Sequence, residues 1–504
     1  MLLIFPDTAP RLLALDILLL PRHTKRHNPP RTRDPFMSKL SESDFSKRLF
    51  QQFKDGALAA NDDRYEPLYE EHPDLEKYDH AADIAKTIEF SEIESLNLLS
   101  GFRGSGKSTE LNRLADILKG KGYFILQRDA LDYLDPGESI DIVTLLNALA
   151  GAFSDALEDG EIGDAMKQGY WQRFSTYLKT TNVSLEEIGI TAGTSAKTAE
   201  ANLKLAFKTA PTFRQQLREK LQSRLGEVTN QVEAFVTYCR QLIKKKRGTD
   251  TAIVFIFDQF EQIPGAPGLA SQQRSLVEDT KRVFSDYLEH LRFHHIHMVL
   301  TVPSWLKLVL PNLEQRLVAN LPLWRKGQDR KPRPDSFRVL RSLVTRRFDK
   351  VQKNGIERFF DGIQPDGSHP LLDKLIEASG GHFRDLFRLI REAIIATRQL
   401  PITADVADQA IYRVRSGFLP IAVEDARALQ RVADLQATAH ETSSDADIYQ
   451  LAQFMNSHRV LYFINGDEWY DIHPLIRPEV KAIVARAAVL DRKAEKAIKQ
   501  ATDE

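Results

Sequence analysis

A glycine-rich segment between an apolar run and an amphipathic run constrains the fold of this chain most strongly. Residues 101–109 read GFRGSGKST, with the strand-like LNLL before them and the helical pattern ELNRLADILKG after them. The segment satisfies G-x-x-x-x-G-K-[ST], in which glycines let the backbone turn tightly and successive N–H groups converge on an anion at a helix N-terminus. The sequence therefore predicts a phosphate-binding loop between a buried strand and a helix.

Each part of this loop has an expected role. Gly101, Gly104 and Gly106 would let the backbone N–H groups reach phosphate oxygens. Lys107 would reach the β- and γ-phosphates of a nucleotide, and the Ser108 hydroxyl would hold Mg²⁺. The predicted nucleotide-binding residues of the loop are Gly101, Phe102, Arg103, Gly104, Ser105, Gly106, Lys107, Ser108 and Thr109.

Apolar runs alternate with helical patterns, and this alternation predicts the fold class. The run AIVFIF at residues 252–257 is apolar throughout, as a central strand covered on both faces must be. The predicted fold is α/β, with a parallel sheet and crossover helices. Its strands are expected at residues 96–99, 123–127, 252–257, 296–302 and 321–324.

The chain is predicted to carry an insertion within the core and two further parts after it. Residues 158–246 are too many for a simple crossover and are interpreted as a β-ribbon on a helical stalk. Two strands joined at Asn465-Gly466, a strong hairpin signal, follow a helix at 447–456 and suggest a winged helix. The predicted domains are a misannotated or disordered extension (1–36), a helical lead-in (37–92), the core (93–335), a helical lid (336–420), the winged-helix-like part (421–489) and a tail (490–504).

Composition and charge exclude several classes of protein. Lys and Arg number 69 and Asp and Glu number 70, so no overall basic field attracts nucleic acid or anionic lipid. The longest apolar stretch near the start, residues 12–20, is far shorter than the roughly 20 residues of a membrane span. The single cysteine, Cys239, excludes an intramolecular disulfide and favours the cytoplasm. We interpret the true start as Met37, with a basic targeting tail as the alternative.

Polar side chains follow the two predicted central strands. Asp258 comes directly after AIVFIF, where it would help to hold Mg²⁺, and Glu261 is a candidate to polarise the attacking water. The alternative for Glu261 is a solvated carboxylate at the start of a helix. Thr301 and Ser304, at the end of the next strand, are candidates to sense a γ-phosphate, and a purely structural hydroxyl is the alternative.

Arginines in the lid form a further set of candidates. Arg346 and Arg347 close the helical pattern SFRVLRSLVTRRF, and Arg384 lies in SGGHFRDLFRLIREA. Guanidinium groups stabilise the charge on a transferring phosphoryl group. Arg347 and Arg384 are therefore candidate catalytic residues, and a solvated helix face is the alternative for each.

Together these motifs resemble those of P-loop ATPases of the AAA+ and STAND type, close to origin-recognition-like and bacterial signalling ATPases. The resemblance covers roughly residues 93–475. It rests on GFRGSGKST as Walker A, VFIFDQFEQI as Walker B, MVLTVPS as a sensor-1 strand with Thr301, SGGHFRDLFRL as a sensor-2 region, and RVLYFINGDEWYDIHPLI as the wing.

The resemblance implies a nucleotide-dependent switch. ATP with Mg²⁺ would bind between core and lid, and an arginine of one subunit would complete the site of the next in a homo-oligomer. Gln259 stands where AAA+ motors have glutamate, with the second acid at Glu261, which implies slow hydrolysis. The resemblance further implies bacterial signalling or anti-phage defence with a separate effector or sensed protein. The insertion is the candidate sensor.

Two other functions remain open. A DNA-binding ATPase of the origin-recognition type would need Lys or Arg on its recognition helix, and residues 447–456 (DIYQLAQFMN) have neither. A non-hydrolysing, ATP-bound scaffold is the second alternative. The preference for ATP over GTP comes from the resemblance alone. The histidines at 294, 295 and 297 lack ligand spacing and are interpreted as structural.

Overall fold

Five parallel strands form the sheet that carries the glycine-rich loop. The computed structural model places β1 at Ser95–Gly101, β2 at Phe124–Asp129, β3 at Ile253–Asp258, β4 at Ile296–Pro303 and β5 at Arg316–Val318. The strands are hydrogen-bonded in the order β2-β3-β4-β1-β5, and every neighbouring pair is parallel. The predicted α/β fold with a parallel sheet is confirmed.

The structure describes residues 40–502, except residues 67–78, 266–269 and 438–444 and positions 137, 182, 192 and 328. Contacts divide the chain into Met1–Ser41 and the compact unit Glu42–Glu504, to which every helix and strand named here belongs. The predicted extension 1–36 and the predicted start at Met37 lie outside the described residues. None of the helices in the described part combines the length and hydropathy of a membrane span.

Helices surround the sheet and build the insertion. Those before the last sheet strand are α1 (Glu42–Gln52), α2 (His80–Phe90), α3 (Lys107–Gly120), α4 (Ile142–Glu158), α5 (Tyr170–Leu178), α6 (Ala196–Thr209), α7 (Pro211–Leu221), α8 (Leu225–Arg247), α9 (Ala270–Asp286) and α10 (Leu306–Val309).

The second half of the chain is mostly helical, as predicted. Its helices are α11 (Pro334–Asp349), α12 (Gly355–Phe359), α13 (Pro370–Ser379), α14 (Phe383–Ala396), α15 (Ala404–Ser416), α16 (Val423–Leu435), α17 (Asp445–Asn456) and α18 (Arg477–Thr502). The predicted hairpin is present as β6 (Val460–Asn465) and β7 (Asp467–Ile472), which pair antiparallel around Gly466. The winged-helix interpretation and the domain boundaries stay predictions.

The sheet is buried on both faces, which fixes where its strands end. On one face the Phe153 ring of α4 lies edge-on to Phe255 of β3, with ring centroids 5.5 Å apart. On the other face Leu114 of α3 shares a buried cluster with Val254 and Val299. Successive β3 side chains therefore enter opposite layers, as in parallel sheets covered by helices. In such sheets ligands bind beyond the carboxyl ends of the strands.

The predicted β-ribbon in the insertion is wrong, because the described residues between 158 and 246 form only helices and turns. Residues 202–207, predicted as part of the ribbon, lie inside α6, and Ile188 ends a short 3₁₀ turn (Glu186–Ile188) that residues 189–191 follow. The sequence NLKLAF alternates over six residues, but the longer window has helical spacing. Its buried positions are Ala199, Leu203, Ala206 and Phe207.

The fifth strand was predicted at residues 321–324 and lies instead at β5, which pairs with β1. Leu321 and Leu323 are buried outside the sheet. The Leu321 N–H donates to the Gly381 carbonyl at 3.3 Å, and the Asn320 N–H donates to the Tyr462 carbonyl at 3.1 Å. This segment is apolar because it packs between the predicted lid and the hairpin. A short buried segment of this kind shows the same run of apolar residues as a buried strand.

Candidate functional site

The glycine-rich loop joins β1 to α3, as its sequence predicts. Gly104 has φ of 90° and Gly106, the residue before the first turn of α3, has φ of 101°. Both values lie in the left-handed region that side chains with a Cβ rarely adopt. Glycine at these two positions therefore allows the loop to turn into the N-terminus of α3, where unpaired N–H groups favour an anion.

Lys107 is buried at the base of the loop, with 3% of its side chain exposed. Its Nζ donates to the carbonyl oxygens of Gly101 and Phe102, each at 2.9 Å, and lies 3.0 Å from Oε1 of Glu261. A buried ammonium group needs such oxygen partners to offset its desolvation. The structure therefore brings Lys107 and Glu261 together, and phosphate oxygens could replace the partners of the lysine.

Asp258 lies at the carboxyl end of β3 beside this pair. It accepts hydrogen bonds from the Ser108 side chain and from the Gln259 N–H, the latter at 2.7 Å. Burial and, after it, the charge of Glu261 raise the pKa of Asp258 to about 6. The two predicted Mg²⁺ ligands are thus already in contact.

The residues around Asp258 fit Mg²⁺. Oε2 of Glu261 is buried without a hydrogen-bond partner among the described residues. Carboxylate and hydroxyl oxygens are the ligands that Mg²⁺ prefers, usually together with waters and phosphate oxygens. Ser108 and Asp258 would hold the ion. The unpaired Oε2 of Glu261 beside them can accept one further partner, either a cation or a hydrogen-bond donor.

A cavity of about 640 Å³ opens in front of these residues. This volume is within the range typical of small-molecule sites. Arg103 to Thr109 of the loop line it, and Asp258 and Glu261 contribute to its wall. Helices α11 and α14, which belong to the predicted lid, contribute Leu343, Arg347, Phe383, Arg384 and Phe387 to its lining.

Arg384 of α14 packs directly on the glycine-rich loop. A Cβ at Gly104 would lie 2.5 Å from Cβ of Arg384, so only glycine allows this approach. The Nε of Arg384 lies 3.2 Å from Oδ2 of Asp55, in the segment after α1. Burial lowers the pKa of Arg384, and the Asp55 charge opposes that effect. The structure therefore brings Arg384 into the cavity.

Arg347 of α11 also lines the cavity, but without an ion-pair partner in the described part of the chain. It donates to the carbonyls of Leu343 (2.9 Å) and Arg64 (3.3 Å), and its guanidinium lies 4.2 Å from the centroid of the Phe387 ring. Burial and the neighbouring charge of Arg64 lower its pKa to about 10. An anion in the cavity would supply the counter-charge that Arg347 lacks. Arg346, in contrast, pairs with Glu66.

The structure does not bring every predicted residue into the cavity. Thr301 and Ser304 are buried and do not line it. The Thr301 hydroxyl accepts a hydrogen bond from the Phe260 N–H at 3.0 Å and so fixes the segment after β3. Phe102 is buried beneath the loop, and only its carbonyl contacts Lys107.

Other residues line the cavity that the sequence did not identify. Asp129 ends β2, lies opposite Asp258 in register and accepts a hydrogen bond from the Gln259 side chain. The position of Asp129 at the end of a strand could have identified it as a site residue from the sequence. The position of the segment around Leu58 at the cavity could not be predicted from the sequence. The Leu58 N–H donates to Oγ1 of Thr109 at 3.1 Å, and these two residues are 51 positions apart in the chain. Asn112 Nδ2 donates to the Leu58 carbonyl at 2.8 Å.

His80, which begins α2 and lines the cavity, is expected to make folding sensitive to acid. Burial lowers its pKa from 6.5 to about 4, outweighing the attraction of Asp83. The unfolded chain therefore binds the proton more tightly, so stability is complete above pH 6.5 and is lost as the pH falls from 6.5 to 4. The loss amounts to about 3 kcal/mol of unfolding free energy.

Urea denaturation of the parent chain and His80→Gln at pH 7 and pH 4.5 measures this contribution. The His80 ring donates to the backbone carbonyl of Leu317, and glutamine keeps a donor for it but does not titrate. The variant is expected to lose about 2–3 kcal/mol less than the parent between the two pH values. An equal loss in both proteins would show that His80 is not the acid-sensitive group.

Comparisons with known proteins reveal only distant similarity. No protein-family model and no curated protein matches the sequence. Among solved structures, the Walker-type ATPase PABY2304 of Pyrococcus abyssi is 12% identical, covering 86% of this chain and 99% of its own, with a TM-score of 0.35. The ADP form of the Aeropyrum pernix ORC2 protein is 11% identical over 87% and 98%, with a TM-score of 0.36.

Drosophila ORC bound to DNA is 10% identical, covering 92% of this chain and 96% of its own, with a TM-score of 0.32.

Proposed function

We propose that this chain binds ATP with Mg²⁺ in the 640 Å³ cavity and acts as a nucleotide-dependent switch that hydrolyses ATP slowly. The strongest support is that a phosphate-binding loop with a buried lysine, an acid–hydroxyl pair and two lid arginines all face one cavity. Each of these groups suits a phosphate or its metal ion. Preference for adenine over guanine rests on the sequence resemblance.

The residues of the proposed site would have the following roles. Loop N–H groups and Lys107 bind phosphate oxygens, and Ser108 and Asp258 hold Mg²⁺. When bound, Mg²⁺ neutralises phosphate charge and draws electron density from the phosphorus. Glu261 would orient a water and accept its proton as the water oxygen bonds to the γ-phosphorus, while the bond from that phosphorus to the β–γ bridging oxygen breaks and ADP leaves with its electron pair. Arg384 and Arg347 stabilise the negative charge of the phosphoryl group.

Slow turnover is consistent with the contacts of Glu261. Its Oε1 is paired with Lys107 at 3.0 Å, so the lysine has to exchange this partner for phosphate before the carboxylate can act on a water. Gln259, directly after Asp258, carries an amide and cannot replace Glu261 as a base. Its side chain instead contacts Asp129.

A switch is supported by the way the cavity is shared between core and lid. Arg384 is held by Asp55 and by packing on Gly104, and Arg347 lacks a counter-ion among the described residues. Phosphate in the cavity would compete with Asp55 and attract both guanidinium groups, and thereby change the position of the lid. Assembly into a homo-oligomer, a separate effector or sensed partner protein, and a role in bacterial signalling or anti-phage defence belong to this proposal through the resemblance.

One observation also favours a non-hydrolysing scaffold as a second candidate. The Lys107–Glu261 ion pair is buried on both sides and satisfies the lysine without phosphate. If the pair persists when nucleotide binds, Glu261 cannot act as a base. The DNA-binding alternative has less support, since α17 contains neither Lys nor Arg.

Glu261→Gln separates the switch from the scaffold. We expect kcat for ATP hydrolysis to fall at least about a hundredfold, because the amide cannot accept a proton. Affinity for ATP should not fall by more than about threefold, because Lys107 is unchanged and a neutral amide competes with phosphate for the lysine less than a carboxylate does. Phosphate release and titration with a fluorescent ATP analogue measure the two quantities.

Glu89→Gln is the matched control, since Glu89 forms an ion pair with Lys121 away from the cavity. It should leave both quantities unchanged. Equal turnover in Glu261→Gln and the parent would exclude Glu261 as the base. A parent protein that binds ATP but releases no phosphate would leave the scaffold as the function.

A further inference from the structure

Three buried side chains and one partly buried side chain meet behind the glycine-rich loop, outside the cavity. His382 and Asp385 lie at the start of α14, His458 precedes β6, and His473 follows β7. Three imidazole nitrogens point at one oxygen, Oδ2 of Asp385: Nδ1 of His382 at 2.7 Å, Nε2 of His473 at 3.3 Å and Nδ1 of His458 at 3.9 Å. The exposed fractions of His382, Asp385 and His458 are 0%, 5% and 13%. The proposed nucleotide site uses none of these side chains.

The contacts of His382 fix which of its nitrogens carries hydrogen. Nε2 lies 3.1 Å from the carbonyl oxygen of Arg103, which can only accept, so Nε2 carries the hydrogen. Nδ1 of a neutral ring then presents a lone pair to Oδ2 of Asp385, which is also an acceptor. The arrangement requires a positive partner for both atoms, either a second proton on His382 or a metal ion.

The roles of the two other histidines differ. Nδ1 of His473 accepts the Leu475 N–H at 3.2 Å, so its Nε2 carries hydrogen, and this nitrogen lies 3.3 Å from Oδ2 of Asp385 without forming a hydrogen bond. His473 therefore faces the carboxylate and is not a ligand. His458 has no hydrogen-bond partner for its ring nitrogens among the described residues. Its Nδ1 lies 3.9 Å from Oδ2 of Asp385, beyond hydrogen-bond distance, so its lone pair is available.

We propose that His382, Asp385 and His458 bind one divalent transition-metal ion of the Zn²⁺ type. One ligand atom from each lies within 4.8 Å of the other two. Imidazole nitrogens with a carboxylate oxygen are a common ligand set for zinc, with a fourth position left for water. The Arg103 carbonyl supplies the outer hydrogen bond that usually orients a metal-binding histidine, and the Nε2 hydrogen of His473 faces the carboxylate of Asp385 at 3.3 Å.

The location of this site gives it a structural consequence. Its ligands come from the first turn of the lid helix α14 and from the start of the hairpin, and its outer partner Arg103 belongs to the glycine-rich loop. A bound ion would connect the three segments. The inference does not depend on the proposed nucleotide function, because no ligand of the ion lines the cavity.

Zinc titration of the full chain tests the proposal. Protein stripped with a chelator is titrated with Zn²⁺ against a chromophoric competitor, and thermal unfolding is followed with and without Zn²⁺. We expect one tight equivalent and a rise in Tm. His458→Asn, which keeps a residue type that tolerates the φ of 56° at this position, should bind Zn²⁺ at least about tenfold more weakly and lose the rise in Tm.

His295→Asn is the matched control, because His295 also has a positive φ, of 60°, and lies at another edge of the core. It should behave as the parent does. Substituting Co²⁺ for Zn²⁺ should give visible absorption bands in the parent and the control, and these should be absent from His458→Asn. Failure of the parent to bind Zn²⁺, or equal binding by His458→Asn, would overturn the proposal and leave a protonated His382 paired with Asp385.

Discussion

Nucleotide affinity is expected to fall at least a hundredfold in Lys107→Ala. The substitution removes the buried ammonium that would reach the phosphates, and it leaves the carbonyls of Gly101 and Phe102 without their donor. Hydrogen bonds to charged groups contribute about 1.5–3 kcal/mol each, and a hundredfold change in affinity corresponds to about 2.7 kcal/mol. Titration with a fluorescent ATP analogue in the presence of Mg²⁺ measures the loss.

Lys119→Ala is the control for this substitution, because Lys119 lies in the last turn of the same helix and is exposed. It removes the same charge and should leave affinity unchanged. Lys107→Met, which keeps more of the side-chain volume, should lose affinity as Lys107→Ala does, while its circular dichroism remains that of the parent. Unchanged affinity in both Lys107 variants would contradict a nucleotide site at this loop.

Gly381→Ala is expected to destabilise the fold by about 3–5 kcal/mol. A Cβ at this position would lie 1.8 Å from the Leu321 carbonyl oxygen, a backbone atom held by the contact between core and lid. The φ of 79° adds about 1–2 kcal/mol of steric cost for a residue with a Cβ. Effects above 4 kcal/mol are exceptional for point mutations and need a mechanism of this kind. Urea denaturation measures the change.

Gly122→Ala isolates the conformational part of this effect. Gly122 has a similar φ of 87°, and nothing lies within 4 Å of the position its Cβ would take. This variant should lose about 1–2 kcal/mol. Equal losses in the two variants would mean that the approach of Gly381 to Leu321 is not maintained in solution.

Local patterns predicted the sheet and the loop well, because their signals lie in consecutive residues. The central strand at 252–257 and the loop at 101–109 needed only short windows of sequence. The prediction of a β-ribbon was wrong because the alternation of apolar and polar side chains over six residues of α6 concealed the helical spacing of the longer segment. The fifth strand was misplaced because Leu321 and Leu323 are buried by the lid and hairpin and not by the sheet.

Residues of the site could be predicted where a chemically suitable side chain lies at the end of a predicted strand, as Asp258 does. Contacts between distant segments were not predictable. Leu58 reaches Thr109 through a backbone hydrogen bond that any residue type could make. Thr301 looked like a phosphate sensor, yet its hydroxyl accepts from the Phe260 N–H, and this contact depends on how two strand ends are placed. His382, His458 and His473 are far apart in sequence and converge only through the fold.

Nucleotide binding should change the distance between the core and the predicted lid, and this distance can be measured between two spin labels. Cys239 is buried, so cysteines introduced at the exposed Ile93 of the core and Tyr412 of the lid can carry spin labels. In Glu261→Gln, which should retain ATP, we predict that ATP with Mg²⁺ shifts the distance distribution and that ADP does so less. Identical distributions without nucleotide, with ADP and with ATP, at concentrations shown to saturate the site, would contradict the account.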